Sequence, residues 1–264
     1  MPGLFFISQY THNANSEQGK GHIAVQYLRT LFLACVIFVP AATTAADAAN
    51  DNEAGYRHFR ALATAFFEWR RIQQPAGGDD IPRVERPDGW VPDFSPEAIE
   101  DYRLKYAEFL QAAESIDTEG WSVERQVDVR LLRAAIQRVH WELDRLRAPH
   151  RNPLFYVDQT LGSVFELLIL SSPMTGTRAE NIIIRFEAFP QILKDARKNL
   201  TEPVRPFAQA TVTSLQDIDD RLENVEQGLL PLVPENLHRR FRRAVSSASR
   251  SLRRYSDWLE DDLE

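Results

Sequence analysis

Apolar residues recur at steps of three and four along most of this chain, and that spacing limits what it can fold into more than any motif does. The last stretch shows it best: Phe241, Val245, Ala248, Leu252, Tyr255 and Leu259 form one continuous stripe, the mark of a helix with a single buried face. The stripe runs almost to Glu264 with no Gly or Asn cap behind it, so the sequence alone suggests a chain that stops short of its natural partner surface.

The same rhythm repeats upstream. Phe59, Leu62, Phe66 and Trp69 make a first stripe, followed by a Pro- and Gly-dense stretch, Gln74 to Pro96, that reads as an extended loop. Ser95 and Pro96 restart the chain as N-cap and first helical residue. Ile99, Tyr102, Tyr106, Phe109, Ala113 and Ile116 mark the next helix, and Val129, Leu132, Ile136, Val139, Leu143 and Leu146 the third, capped by Ser122. The segment "LFYVDQTLGSVFELLIL" is apolar on most sides. A buried strand pair is the alternative there, but its length favours a central helix.

Thr177 and Glu180 suit a capping box for the following helix, in which Pro190 should introduce a kink and free the carbonyl of Phe186. One further helix carries Phe207, Leu215, Ile218, Leu222 and Val225, closed by Gly228 and "LLPLVP", and Glu235 opens the last. About seven helices, no strand pattern and no fixed-period repeat make the fold class all-α, a multi-helix bundle.

The chain opens with a targeting segment. Arg29 precedes an apolar run from Leu31 to Val39, then Pro40 and small residues, so residues 1–46 read as a signal peptide with an unusually long polar n-region, cleaved near Ala46 or Ala48. Translation is expected to begin near Val25 or Leu28. The apolar run is shorter than the roughly 20 residues of a membrane span, and no stable span is expected after cleavage. The helical domain is 47–264, and its compartment the periplasm or the exterior.

The single cysteine, Cys35, lies inside the apolar run, so the mature chain forms no disulfide. A lipoprotein signal at "LFLAC" is disfavoured by bulky Phe32 and Leu33 before Ala34 and by the apolar run continuing past the cysteine. The full chain carries a net charge of -7, and removing residues 1–46 takes away Lys20, Arg29 and Glu17 and leaves -8. Such a chain is a poor nucleic-acid binder.

Chemistry is hard to find in the residues. The histidines are His12, His22, His58, His140, His150 and His238, none one helical turn from another, so no H-E-x-x-H zinc pair exists. Ser163 in "LGSVF" follows no strand and reads as a helix residue rather than a nucleophile. Asp217, Asp219 and Asp220 straddle a buried face and read as a solvated surface, and the basic run His238 to Arg243 as a partner in ion pairs within the helix or with another chain. Phe66, Phe67, Trp69 and Trp141 are core at helical spacing, with a substrate groove as the alternative. No catalytic, cofactor-binding or metal residue is assigned.

The order of "FFEWRRIQQP", "DFSPEAIEDYRLKYAEFLQAAESID", "SVERQVDVRLLRAAIQRVHWEL", "NPLFYVDQ", "RAENIIIRFEAFPQILKDARKNL" and "LRRYSDWLEDDLE" resembles the front half of the bacterial domain of unknown function 885 (DUF 885) family, from about Tyr56 to the end. That resemblance implies a helical zincin-like protein, longer than this one, with a His-Glu-x-x-Pro-Gly-His signature in its second half and zinc bound there. No residue here matches the signature, so no metal role transfers to this chain. The expectation is the front half of a metallopeptidase-like hydrolase, inactive alone, from a truncated or split gene. Its partner would be a missing carboxy-terminal half or a separate polypeptide docking on the last helix. The alternative is a self-sufficient periplasmic helical binding or scaffold module.

Overall fold

Side-chain hydrogen bonds to the long loop and the buried apolar face of the last helix organise the fold. A computed structural model describes residues 41–76, 85–169 and 173–263, with backbone alone for 41–49, 262 and 263. Among these residues there is no strand, and no helix is long and apolar enough to cross a membrane. Cys35, His12, His22 and the apolar run from Leu31 to Val39 expected to belong to a signal peptide lie outside them.

The first layer is α1 (Ala41–Gln73), α2 (Pro96–Glu114) and α3 (Val123–His140). Ala46 and Ala48, the expected cleavage points, sit within α1. Phe66 of α1 is 1% exposed and meets Phe109 of α2 edge-on at 5.5 Å between centroids. Gly55 lets α1 approach the Trp121 ring, which lies 3.0 Å from where a Cβ would stand. Ser95 and Ser122 cap α2 and α3 by accepting from the amides of Ala98 and Arg125, as their sequence positions require.

α3 continues as a π-helical turn, Trp141–Leu146, and stops at Arg147, whose φ of 53° no helix accommodates. Short α4 (Ala148–Arg151) follows. The apolar segment after it is one helical rod: α5 (Pro153–Val157), a π-helical turn at Asp158–Gly162 and α6 (Ser163–Leu168). Length decided correctly between helix and strand there, and Phe155, Tyr156, Val157 and Val164 are buried while Phe165 and Ile169 stand exposed.

The second layer comprises α7 (Gly176–Asn199), α8 (Arg205–Leu215), α9 (Ile218–Leu229) and α10 (His238–Leu263). The cap of α7 is Thr175, whose Oγ1 accepts from the amide of Arg178, not Thr177. The helix starts earlier because Gly176 itself takes helical backbone. α7 also runs unbroken through Pro190. The stretch expected as one helix after Pro203 is two, since Gln216 turns extended (ψ 140°) and Asp217 takes the left-handed conformation (φ 58°), which Asp tolerates better than most side chains.

α10 lies across α7, α8 and α9. Phe241, Val245, Ala248, Leu252, Tyr255 and Leu259 are all at most 2% exposed, and the Tyr255 hydroxyl donates to the carbonyl of Pro153 at 3.0 Å. The terminal stripe therefore packs inside its own chain. Its basic residues pair with neighbouring helices: Arg240 makes two bonds to Glu187 of α7 at 2.8 and 2.6 Å, and Arg253 reaches Asp219 of α9 at 2.8 Å. Leu252→Ala should cost about 2–5 kcal/mol in denaturant unfolding, the range for a buried large-to-small change, whereas Leu104→Ala, at an exposed position, should stay within about 0.5 kcal/mol.

Candidate functional site

An open groove of about 610 Å³ lies between the end of α1, the segment before α2 and the outward face of α2. Trp69 and Ile72 come from α1, Trp90 and Asp93 from the segment, and Asp101 and Lys105 from α2. The helical repeat brings the α2 residues together, because positions 101, 104, 105 and 108 share one face.

The segment forming the second wall is held by side chains from all over the fold. At its start, the Gln159 amide accepts from the Ala76 N–H at 2.8 Å and donates to the Ala76 carbonyl at 3.1 Å. The guanidinium of Arg86 donates to the carbonyls of Arg71 and Gln74 at 2.5 and 2.7 Å, satisfying the end of α1. Asn181 of α7 accepts from Gly89 and donates to Asp88, both at 2.8 Å. At its far end, Asn199 donates to the carbonyl of Phe94 at 2.6 Å and to the Tyr156 hydroxyl at 2.9 Å.

Trp90 is the fixed element of this wall. Its indole N–H donates to the carbonyl of Ile72 at 2.9 Å, and the guanidiniums of Arg86 and Arg185 stack 4.1 and 5.0 Å from its ring. Arg185, 3% exposed, donates to the carbonyl of Ser163 and lies 3.4 Å from Glu166. Burial draws its pKa down to about 10 against the pull of Glu166, which leaves it charged at neutral pH.

Behind α2 lies a second cluster. Asp144, on the π-helical turn, accepts from the Tyr106 hydroxyl and from Arg103 Nε at 2.8 Å, and His140 Nδ1 lies 2.9 Å away. Burial raises the Asp144 carboxyl, but bonds from Tyr106, Arg103 and His140 outweigh it and leave its pKa low. Burial and the bond to Asp144 push the Tyr106 phenol up to about 12. This cluster clamps α2 to the end of α3.

The sequence-derived candidates fall apart in space. Trp69 lines the groove and Phe66 is core, while Phe67 and Trp141 are more than half exposed. Ser163 is buried and donates to the carbonyl of Thr160 at 2.7 Å. Asp219 is engaged by Arg253 and by the Ser249 hydroxyl. The ring nitrogens of His150 and His238 meet the carbonyls of Asn199 and Val233 at 2.9 and 2.8 Å. Among the described residues no three His, Cys, Asp or Glu side chains gather as a metal site. The Trp90 wall and its Gln159, Asn181 and Asn199 supports were missed. The available signal was the polar "DQT" inside an otherwise apolar helix, since a buried amide demands a partner.

Fold and groove together define an all-α protein with a ligand-sized cleft beside a stapled loop. The chain belongs to the bacterial protein family of unknown function DUF885, whose profile matches residues 76–264, beginning later than the resemblance from Tyr56. It is similar, with a TM-score of 0.61 and 14% identity, to a "putative lipoprotein of unknown function" from Shewanella oneidensis. That likeness covers 76% of this chain and 37% of the other, and at this identity it establishes the fold alone. No curated protein matches the chain.

The second cluster gives a pH signature. The folded pKa of Asp144 is lowered, so its stabilisation is complete above the unfolded value near 3.9 and is lost as pH falls through the folded value. Tyr106 acts in the opposite sense: its contribution is complete below about pH 10 and is lost as pH rises toward 12. Denaturant unfolding across pH should show Asp144→Asn with a flatter acid limb than wild type, and Tyr106→Phe with a flatter alkaline limb.

Proposed function

We propose that this chain is the helical front half of an exported metallopeptidase-like hydrolase, and that its groove walls one side of a cleft for extended peptides. The groove is the observation that carries the reading: about 610 Å³, within the size range of ligand sites, with one wall made of the proline-rich segment and half-buried Trp69. Membership of a family of unknown function and the 37% span of a longer solved relative support a part within a larger assembly. That relative's description as a lipoprotein accords with export.

Zinc enters only through what the family resemblance implies. Among the described residues none fits it: His140 has one nearby carboxylate, Asp144, already taken up by Tyr106 and Arg103, His150 and His238 are spent on carbonyls, and no three His, Cys, Asp or Glu side chains gather. A catalytic half, on the same polypeptide or another, would have to bring it. A partner meeting α10 from outside would meet its charged face, because the apolar face is covered by α7 to α9.

The isolated chain should bind short extended peptides by calorimetry and leave them uncut over hours with zinc added. Cleavage by this chain alone, or failure to bind any peptide, would remove the reading.

The burial of the α10 stripe favours a second reading, a self-sufficient helical binding or scaffold module in the periplasm. A module of that kind should be monomeric, melt in one cooperative transition and bind no hydrophobic dye. A broad melt with strong dye binding would return the weight to an incomplete assembly.

A further inference from the structure

We propose that the groove is built for a cationic side chain, a lysine or arginine of the bound peptide; this rests on the peptide-binding reading above and names its specificity. The charge arrangement carries the argument. Asp93 and Asp101 stand exposed at the groove, one on the segment and one on α2. The cation lining the groove, Lys105, is held 2.6 Å from Glu108. Among the described residues neither Asp93 nor Asp101 has an ion-pair partner; the Asp93 carboxylate accepts only from the Ser95 amide, at 3.0 Å.

The apolar lining suits the stem of such a side chain. Leu104 is 58% exposed beside Asp101, and Ile72 and Trp69 face the same space. A long basic side chain lays its methylenes along such surface and keeps its charged head at the carboxylates. Trp69 is braced on Phe66 and Phe109, at 6.0 and 5.4 Å between centroids, and supplies an indole for the cation. Trp90 is already engaged by two guanidiniums, 4.1 and 5.0 Å from its ring, and serves as wall. An acidic side chain would be repelled here. A neutral apolar one would strip water from two carboxylates and give nothing back.

The test is calorimetric titration of the chain with three blocked pentapeptides of alanine whose central residue is arginine, glutamine or glutamate, at low and at physiological ionic strength. The arginine peptide should bind about tenfold tighter than the glutamine peptide at physiological salt, and the glutamate peptide more weakly than either. Asp101→Asn, a change at an exposed carboxylate with no hydrogen bond to lose, should reduce the arginine preference over glutamine to within about threefold. Equal binding of the arginine and glutamine peptides, or an arginine preference untouched by Asp101→Asn, would overturn the cationic specificity while leaving peptide binding in place. If none of the three binds, the peptide reading itself has failed and the specificity falls with it.

Discussion

Side-chain amides from the helices behind it, Gln159, Asn181 and Asn199, are the contacts that hold the connection between α1 and α2 in place. A connection as long as the one between α1 and α2 exposes many backbone donors and acceptors, and wherever it leaves solvent each needs a partner. Gln159 supplies two at Ala76 from inside the central helix, and the π-helical turn at Asp158–Gly162 is where that helix departs from regular winding. Such turns are frequent at functional sites because the extra residue re-aims side chains. Asn181 and Asn199 do the same work further along, both from α7. The loop wall is thereby tied to the core of the molecule, so the groove inherits the rigidity of the helices behind it.

The periodic part of the fold was legible and the aperiodic part was not. Stripes such as Ile99, Tyr102, Tyr106 and Phe109 announced α2, because burial on one face of a helix leaves its period in the sequence. The break at Gln216 and Asp217 left none: Leu215, Ile218 and Leu222 keep the spacing of an unbroken helix across it, and an aspartate in left-handed backbone carries no local mark of the kind a glycine would. Likewise the α10 stripe showed that a face is buried but not against what. The covering surface comes from α7, α8 and α9, and long-range contacts of this kind have no signature in the stripe itself.

The groove was half legible. Trp69 was weighed as a groove residue, and the loop's composition marked it as irregular. Trp90 gave no signal, since its role comes from Arg86 and Arg185, far apart in sequence and stacked on one ring. The basic run of α10 also took its meaning from distant acids, Glu187 and Glu226, rather than from the acidic residues that follow it on the same helix.

The two layers present a braced aromatic and acidic cleft, while the apolar face of the strongly amphipathic α10 is covered by α7, α8 and α9 and its charged face is left to solvent. The most direct measurement of the central claim is a heteronuclear NMR titration of the chain with the arginine pentapeptide, following the indole N–H resonances of its five tryptophans. If the groove binds peptide, the Trp69 and Trp90 signals shift together with the amides of the outward face of α2, while Trp121, Trp141 and Trp258 stay in place. Shifts centred on Trp258 and α10, or spread evenly over all five indoles, would contradict it.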